Sequence, residues 1–331
     1  MTAPQPSIDA PLAKALGFVG VGNMGMGMLT RWRSVGGEAH VFDLDEQRMA
    51  QARALGAHAH DSASAVAQAL GDEALLVVCV VDAVQCEQAL FDAAHGAACG
   101  LRAGHGVLLT PTLSPHDVQQ FAQRLNTQGV TMLDAPMSGG PVRAAQGQMS
   151  LMVSGPKRQQ WWGYLQALAN PVFDLGDAVG DAAKTKLVNN LLAGMNLVAS
   201  AQATQLAQAV GLDAATTWDV MAQSSGHSWI GVDRMRRALA GDASVKAHMR
   251  LLAKDTRLAM DMATEAGLSA SAGARAAGLF AQALAMGWGE RDDSAMLDVQ
   301  ASVMRVPSPD LSPQVVPQAA PDVTPGPDSK F

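Results

Sequence analysis

The chain has 331 residues, 48% of them apolar and 16% charged, with a formal net charge of −7. That length accommodates two folding units with sizeable cores. The acidic balance, with no basic run, argues against nucleic acid or an anionic membrane as a partner, and no apolar stretch of about 18 residues is present to span a bilayer.

Residues 1–14, "MTAPQPSIDAPLAK", lack a charged start followed by an apolar core, so they read as an extension and not as a secretory signal. Next comes "KALGFVGVGNMGMGMLTRW", Lys14 to Trp32, where a short apolar run meets a cluster of glycines. Phe18-Val19 reads as a strand end and Met26 to Leu29 as the first turns of a helix running to about Ser34. Between them, Gly20-Val21-Gly22-Asn23-Met24-Gly25 fits G-x-G-x-x-G. The first glycine permits a tight turn, the second lets a pyrophosphate reach the backbone, and the third allows close helix–strand packing. The helix N-terminus that follows offers unpaired N–H groups to phosphate.

A second strand, in "EAHVFDLDEQ", ends at Asp43, 18 positions beyond Gly25 and near the spacing expected of a carboxylate on the adenosine ribose hydroxyls. No arginine directly follows Asp43 to hold a 2′-phosphate, so NAD is the expected cofactor, with NADP second. The plainer reading of Asp43 is a helix N-cap. Further on, "ALLVVCVV", "GVLLTPT", "TMLDAPM" and "MSLMVSG" are continuous apolar runs of strand length, as in a sheet covered on both faces. They alternate with the helical segments "EQRMAQARALG", "VQCEQALF" and "SPHDVQQFAQRLNTQG". This alternation predicts an α/β fold with a Rossmann-type doubly wound sheet over residues 15–181. Val81-Asp82, ending one of the runs, should pass beside the adenosine side of the cofactor.

Ser138-Gly139-Gly140, in "DAPMSGGPVRAAQGQ", sets a hydroxyl beside two residues free to adopt left-handed geometry. Such a turn is either a plain turn or an anion-binding concavity of successive N–H groups. From about Ala182 the character changes to an alanine- and leucine-rich helical run up to Ala209, apolar nearly all round and therefore expected to be buried or against another subunit. "DAATTWDVMAQ", "KAHMRLLAKDTRLAMDMATEAG" and "ASAGARAAGLFAQALAMG" continue an all-α C-terminal domain over 182–304. In "AAKTKLVNN", Lys186 and Asn190 are four apart and share a helix face, whereas Lys184 points elsewhere. Partial burial and nearby positive charge would suit such a lysine to acid/base work. Residues 305–331 carry the last seven of sixteen prolines, which cannot sustain a helix, and read as a disordered tail.

Cys79, Cys86 and Cys99 form no C-x-x-C, and none of the eight histidines makes an H-x-x-x-H pair. Disulfides and a metal site are therefore not expected, and a cytoplasmic protein is.

In these motifs the chain resembles the β-hydroxyacid dehydrogenase family, which includes 3-hydroxyisobutyrate dehydrogenases, tartronate semialdehyde reductases and threonate dehydrogenases. The resemblance runs from "GFVGVGNMGMGM" through "DAPMSGGPVRAAQGQMS" and "KTKLVNN" to "AKDTRLAMDMA", roughly residues 16–300. It implies that Ser138, Gly139 and Gly140 hold the substrate carboxylate, that Lys186 is the catalytic acid/base and that Asn190 positions the substrate. It also places Thr112 near the nicotinamide and carries Lys254-Asp255 back towards the cleft, where Lys254 would lower the Lys186 pKa. Pro111 departs from the family's usual serine or alanine. "VQCEQALF", "SSGHSW" and "GWGERDDSAM" look most like the threonate dehydrogenase branch, which handles polyhydroxylated acids. Within "SSGHSW", His227 and Ser228 are expected in a turn between helices and Trp229 in the core. Two other readings compete: an NADPH-dependent imine reductase, which usually lacks the lysine, and a non-catalytic dinucleotide-binding protein. The implied partners are a small hydroxy acid and further copies of the chain, as a homodimer or homotetramer.

Overall fold

In the computed structural model, residues 15–304 are described; the N-terminal extension and the proline-rich tail lie outside them. The first strands are β1 (Leu16–Val19), β2 (Ala39–Phe42), β3 (His58–Ala59), β4 (Leu75–Val78), β5 (Gly106–Leu109) and β6 (Thr131–Asp134). They pair in parallel in the order β3-β2-β1-β4-β5-β6. Chain direction across the sheet reverses between β1 and β4, and a ligand crevice forms at the carboxyl ends of strands at such a switch point. The register brings those ends level: Val19 pairs with Phe42 and Val78, and Val78 with Leu109.

The apolar runs are continuous because both faces are covered. In β4, Leu75 and Val77 join a core with Phe18, Trp32 and Trp161, while Leu76 and Val78 join another with Val66, Leu109 and Phe121. The covering helices are α1 (Asn23–Ser34), α2 (Glu46–Ala54), α3 (Ala63–Ala69), α4 (Ala83–Phe91) and α5 (Pro115–Asn126). Asp45, Ser62, Asp82 and Ser114 cap the last four, each accepting a backbone N–H from the first turn.

The run "TMLDAPM" does not stay one strand. It divides at Ala135-Pro136 into β6 and β7 (Met137–Ser138), and β7 belongs to a second sheet with β8 (Ser150–Val153) and β9 (Val172–Asp174). Proline has no N–H to give a central ladder, and the Pro136 carbonyl instead accepts the N–H of Met152. "MSLMVSG" therefore lies in this second sheet, paired antiparallel to β7 and parallel to β9. Helices α6 (Gly140–Ala145) and α7 (Trp162–Leu168) complete this part of the chain.

A helical region follows: α8 (Asp181–Ala209), α9 (Ala214–Met221), α10 (Trp229–Leu239), α11 (Met249–Glu265), α12 (Ser271–Ala285) and α13 (Met296–Val303). Leu197, Trp218, Met235, Phe280 and Met296 form its core. Helices α10 and α13 add to those foreseen. Ser228 caps α10 by accepting the Gly231 N–H at 3.1 Å, so "SSGHSW" does connect helices. Trp229 is not a core residue: it is 59% exposed.

Candidate active site

The three loop glycines answer to different demands. Gly20 has φ +88°, and a Cβ there would meet the Cys79 carbonyl oxygen at 2.5 Å. At Gly25 an added Cβ would overlap the Gly20 carbonyl oxygen. Gly22 is different: φ is −59° and an added Cβ meets nothing within 4 Å. Folding thus requires Gly20 and Gly25, whereas Gly22 leaves open space over the start of α1. No side chain caps that helix and no acidic residue occupies its first turn, which contains Asn23, Met24 and Gly25. The N–H groups of Asn23 and Met24 under open space fit a pyrophosphate, while that of Gly25 is turned to the Cys79 sulfur.

Asp43 follows β2 and is tied to the loop, Oδ2 accepting the Val21 N–H at 2.7 Å and Oδ1 the Asp45 N–H at 2.9 Å. It is Asp45 that caps α2, so Asp43 is not that helix's cap. An arginine does approach the loop, one turn into the helix: Arg48 Nη2 donates to Asn23 Oδ1 at 2.8 Å. Inspection of the residues directly after Asp43 misses it. Asp82 caps α4 through the Gln85 N–H, and the Val81 N–H is taken by Gln85 Oε1 at 3.0 Å.

Ser138 ends β7, and both glycines after it lie in the left-handed region, with φ +130° at Gly139 and +78° at Gly140. This turn opens α6, which packs against α1. A Cβ at Gly27 would meet the Pro141 carbonyl oxygen at 2.8 Å and Ala144 Cβ at 2.9 Å. The glycine after the phosphate-loop pattern therefore lets the two helices close on each other. Among the described residues no hydrogen bond joins the Ser138 turn to Lys186 or Asn190.

Helix α8 starts on the strand ends. Asp134 of β6 is buried and its Oδ2 accepts the Ala183 N–H at 2.8 Å, while Ser154 Oγ accepts the Ala182 N–H at 3.1 Å. Burial pushes the Asp134 carboxyl up to about 6 against the pull of these N–H donors. One turn further, Lys186 is 6% exposed and Asn190 9%, whereas Lys184 is exposed and pairs with Asp181 at 2.9 Å. Burial is the main reason the Lys186 pKa falls below the ordinary lysine value. Asp255 opposes the fall, and Lys254 adds to it as the smallest contribution, in the direction that the resemblance implies. Among the described residues the Lys186 side chain has no hydrogen-bond partner.

Around it runs a continuous polar chain. Asn189 Nδ2 donates to Asn190 Oδ1 at 3.0 Å, and Asn190 Nδ2 to Asp255 Oδ2 at 2.6 Å. Lys254 Nζ donates to Asp255 Oδ1 at 2.8 Å and to the Thr112 carbonyl oxygen at 2.5 Å. The helical region is so joined to the loop after β5, at the carboxyl edge where the glycine loop and Asp43 also lie. Asp255, which the resemblance carries back towards the cleft, is 7% exposed and central to this chain of contacts. Among the described residues no group of three His, Cys, Asp or Glu side chains is placed to hold a metal ion, and no helix is long and apolar enough to cross a membrane.

A dinucleotide cradle at the switch point of a 3-2-1-4-5-6 sheet, followed by helices that bring a buried amine to its edge, defines the class of nicotinamide-dependent oxidoreductases. Residues 15–174 match the family described as the NAD binding domain of 6-phosphogluconate dehydrogenase, and residues 180–300 the NAD-binding region of NADP-dependent 3-hydroxyisobutyrate dehydrogenase. The chain is 33% identical to an L-threonate dehydrogenase of Cupriavidus necator, over 87% of this chain and 96% of that one. It is 31% identical to an NAD-dependent L-serine dehydrogenase of Pseudomonas aeruginosa, over 86% of this chain and 96% of the relative. Among solved structures, a 3-hydroxyisobutyrate dehydrogenase from Salmonella typhimurium superposes with a TM-score of 0.80 at 34% identity, covering 86% of this chain and 99% of that chain. The chain belongs to the β-hydroxyacid dehydrogenase family and is an NAD(P)-dependent dehydrogenase of hydroxy acids.

Proposed function

We propose that the protein oxidises a short, polyhydroxylated β-hydroxy acid of the threonate or glycerate kind, with NAD preferred over NADP and Lys186 as acid/base. The observation that carries the reading is Lys186 itself: a buried amine with no hydrogen-bond partner among the described residues, beside Asn190 on a helix anchored to the carboxyl edge of the sheet. Five relatives named L-threonate dehydrogenase, 31–33% identical to this chain, support the substrate class.

The cradle fits a dinucleotide, with Gly20 to Gly25 under the pyrophosphate, Asp43 at the adenosine ribose, Val81 and Asp82 along the adenosine, and Thr112 and Lys254 at the nicotinamide end. When bound, the nicotinamide exchanges a hydride with the carbon bearing the substrate hydroxyl. The Ser138-Gly139-Gly140 turn holds the substrate carboxylate through its N–H groups and hydroxyl. Asn190 holds the hydroxyl oxygen. Neutral Lys186 takes the hydroxyl proton in oxidation, and its ammonium form returns one to the developing alkoxide in reduction. Burial favours the neutral amine that oxidation needs.

We infer that copies of the chain associate, because Val188 and Leu192 on α8, one turn apart, are 61% and 54% exposed. Three unpaired cysteines suit the cytoplasm. The test is to offer NAD or NADP with L-threonate, D-glycerate, 3-hydroxyisobutyrate, 3-hydroxypropionate and L-serine, following the absorbance of reduced nicotinamide. Lys186→Ala should lower kcat by about 10²- to 10⁴-fold; unchanged turnover ends the acid/base assignment. Equal affinity for NADP and NAD ends the Asp43 argument.

A further inference from the structure

The carboxylate at the centre of the polar chain meets two groups that the proposed reaction uses, and each of its oxygens is committed to a different one. Oδ2 of Asp255 accepts the Asn190 amide N–H at 2.6 Å and Oδ1 accepts the Lys254 ammonium at 2.8 Å. A carboxylate only accepts hydrogen bonds, so the nitrogen of the Asn190 amide, and not its oxygen, must face Asp255. The amide oxygen is occupied by Asn189 Nδ2 at 3.0 Å. Beside the second lone pair of that oxygen, Asn190 retains one N–H, a donor. A donor is what a hydroxyl oxygen becoming a carbonyl, or an alkoxide being protonated, calls for at that place. An amide turned the other way would present its oxygen and repel the developing charge.

The same carboxylate fixes Lys254. The ammonium is shared between Asp255 Oδ1 and the Thr112 carbonyl, which stitches α11 to the loop after β5. Asp255 is itself 7% exposed, so water does not substitute freely for these partners, and its own orientation is set by the two donors it serves. We propose that Asp255 is a positioning residue of the reaction: it turns the Asn190 amide donor-outward and pins Lys254 across the cleft, without touching substrate. The inference rests on the reading of Lys186 and Asn190 as the reacting pair.

The charged surroundings of Lys186 give the test its signature. Asp255 raises the Lys186 pKa and Lys254 lowers it, both acting from α11. Charged groups on the neighbouring elements are otherwise engaged: Asp117 of α5 with Ser114, Asp134 of β6 with the first turn of α8, Arg234 of α10 with Asp293, and Asp298 of α13 with Arg291. Arg275 of α12 is exposed. Asp255→Asn keeps the shape but removes the charge and replaces one acceptor with a donor. It should lower kcat about 10- to 100-fold, as expected of a small misplacement in a reacting pair, and move the acid limb of kcat/KM for oxidation to lower pH. Asp255→Glu keeps the charge on a longer arm; it should lose turnover while leaving the acid limb near its wild-type position.

A purely structural residue would lower thermal stability in both variants and leave the limb in place in both. Wild-type turnover in Asp255→Glu, or an unshifted limb in Asp255→Asn, overturns the proposal; should Asp255→Asn fail to fold, Asp255→Glu alone decides it through turnover. Failure of the underlying reading looks different. It appears as a wild-type enzyme without dehydrogenase activity, or as full activity in Lys186→Ala.

Discussion

Replacing Gly22 by alanine separates what the glycine loop does for folding from what it does for the ligand. The backbone there has φ −59° and ψ −166°, outside the left-handed region that favours glycine, and the new methyl meets nothing within 4 Å. Alanine reduces the freedom of the unfolded chain, a stabilisation of about 0.4–1 kcal/mol. Against this, alanine is a poorer N-cap than glycine by roughly 0.5 kcal/mol. The two offset, so unliganded stability should change by less than about 0.5 kcal/mol. In the proposed binding mode the methyl occupies the space through which a pyrophosphate reaches the N–H groups of Asn23 and Met24. Lengthening one or two charge-assisted bonds, each worth about 1.5–3 kcal/mol, should weaken dinucleotide binding roughly 10- to 100-fold or more, at about 1.4 kcal/mol per decade. Gly25→Ala is the contrast. Its Cβ would overlap the Gly20 carbonyl oxygen, a backbone atom that cannot swing aside, so β1 and α1 must part; overpacking of this kind costs about 1–3 kcal/mol, in part offset by a helix propensity gain of up to about 1 kcal/mol. Isothermal titration with NAD and thermal unfolding without it measure both quantities. Wild-type NAD affinity in Gly22→Ala, or a melting temperature several degrees lower in that variant, would refute the assignment of the open space to the ligand.

Two further predictions concern pH. His40 Nδ1 and His60 Nε2 lie 2.9 Å apart beside His58, and burial followed by the neighbouring imidazoles lowers both His40 and His60. With folded values below the ordinary 6.5, the unfolded chain binds more protons, so stability should fall as pH drops below about 6.5 towards the folded values; His60→Gln should flatten that slope, and an identical slope in the variant contradicts the account. Asp134 has the opposite sign. Raised from 3.8 to about 6 by burial, it binds its proton more readily when folded, so its ionisation costs stability, on the order of 3 kcal/mol in full, acquired as pH rises from about 4 through 6. Asp134→Asn should abolish this component, so that its stability relative to the wild type is higher at neutral pH than at pH 4, as read from chemical denaturation; a variant with the wild-type pH dependence would place the cost elsewhere.

Much of the fold was legible because each stretch of sequence carried a local cause. Buried parallel strands need continuous apolar runs, and "LLVV" and "GVLL" supply them. The caps Ser114 and Asp82 stand where the helices begin. What escaped were elements whose cause lies elsewhere in the chain. Strand β3 is two residues long and exists by pairing with β2. Strand β7 is separated from β6 only because Pro136 cannot continue a ladder, and its partner β8 lies a dozen residues on. Trp229 looked like core material by residue type, but type says nothing of which way a capped helix turns its first side chain.

The site divides along the same line. Lys186 and Asn190 could be paired from spacing alone, since four residues along a helix define a face, and the exposure of Lys184 follows from that geometry. The glycine loop and Asp43 were equally local. The parts that make the lysine's surroundings were not. Asp134 reaches α8 across 49 residues, Asn190 reaches Asp255 across 65 and Lys254 reaches Thr112 across 142. No periodicity encodes such separations. An adjacent lysine and aspartate on an amphipathic helix look like a solvated ion pair, and the pair becomes something else only because the helix face bearing it closes on α8. The chemistry proposed for Lys186 depends on that closure twice: burial lowers its proton affinity, and the same burial obliges every neighbouring polar group to find a partner inside the protein.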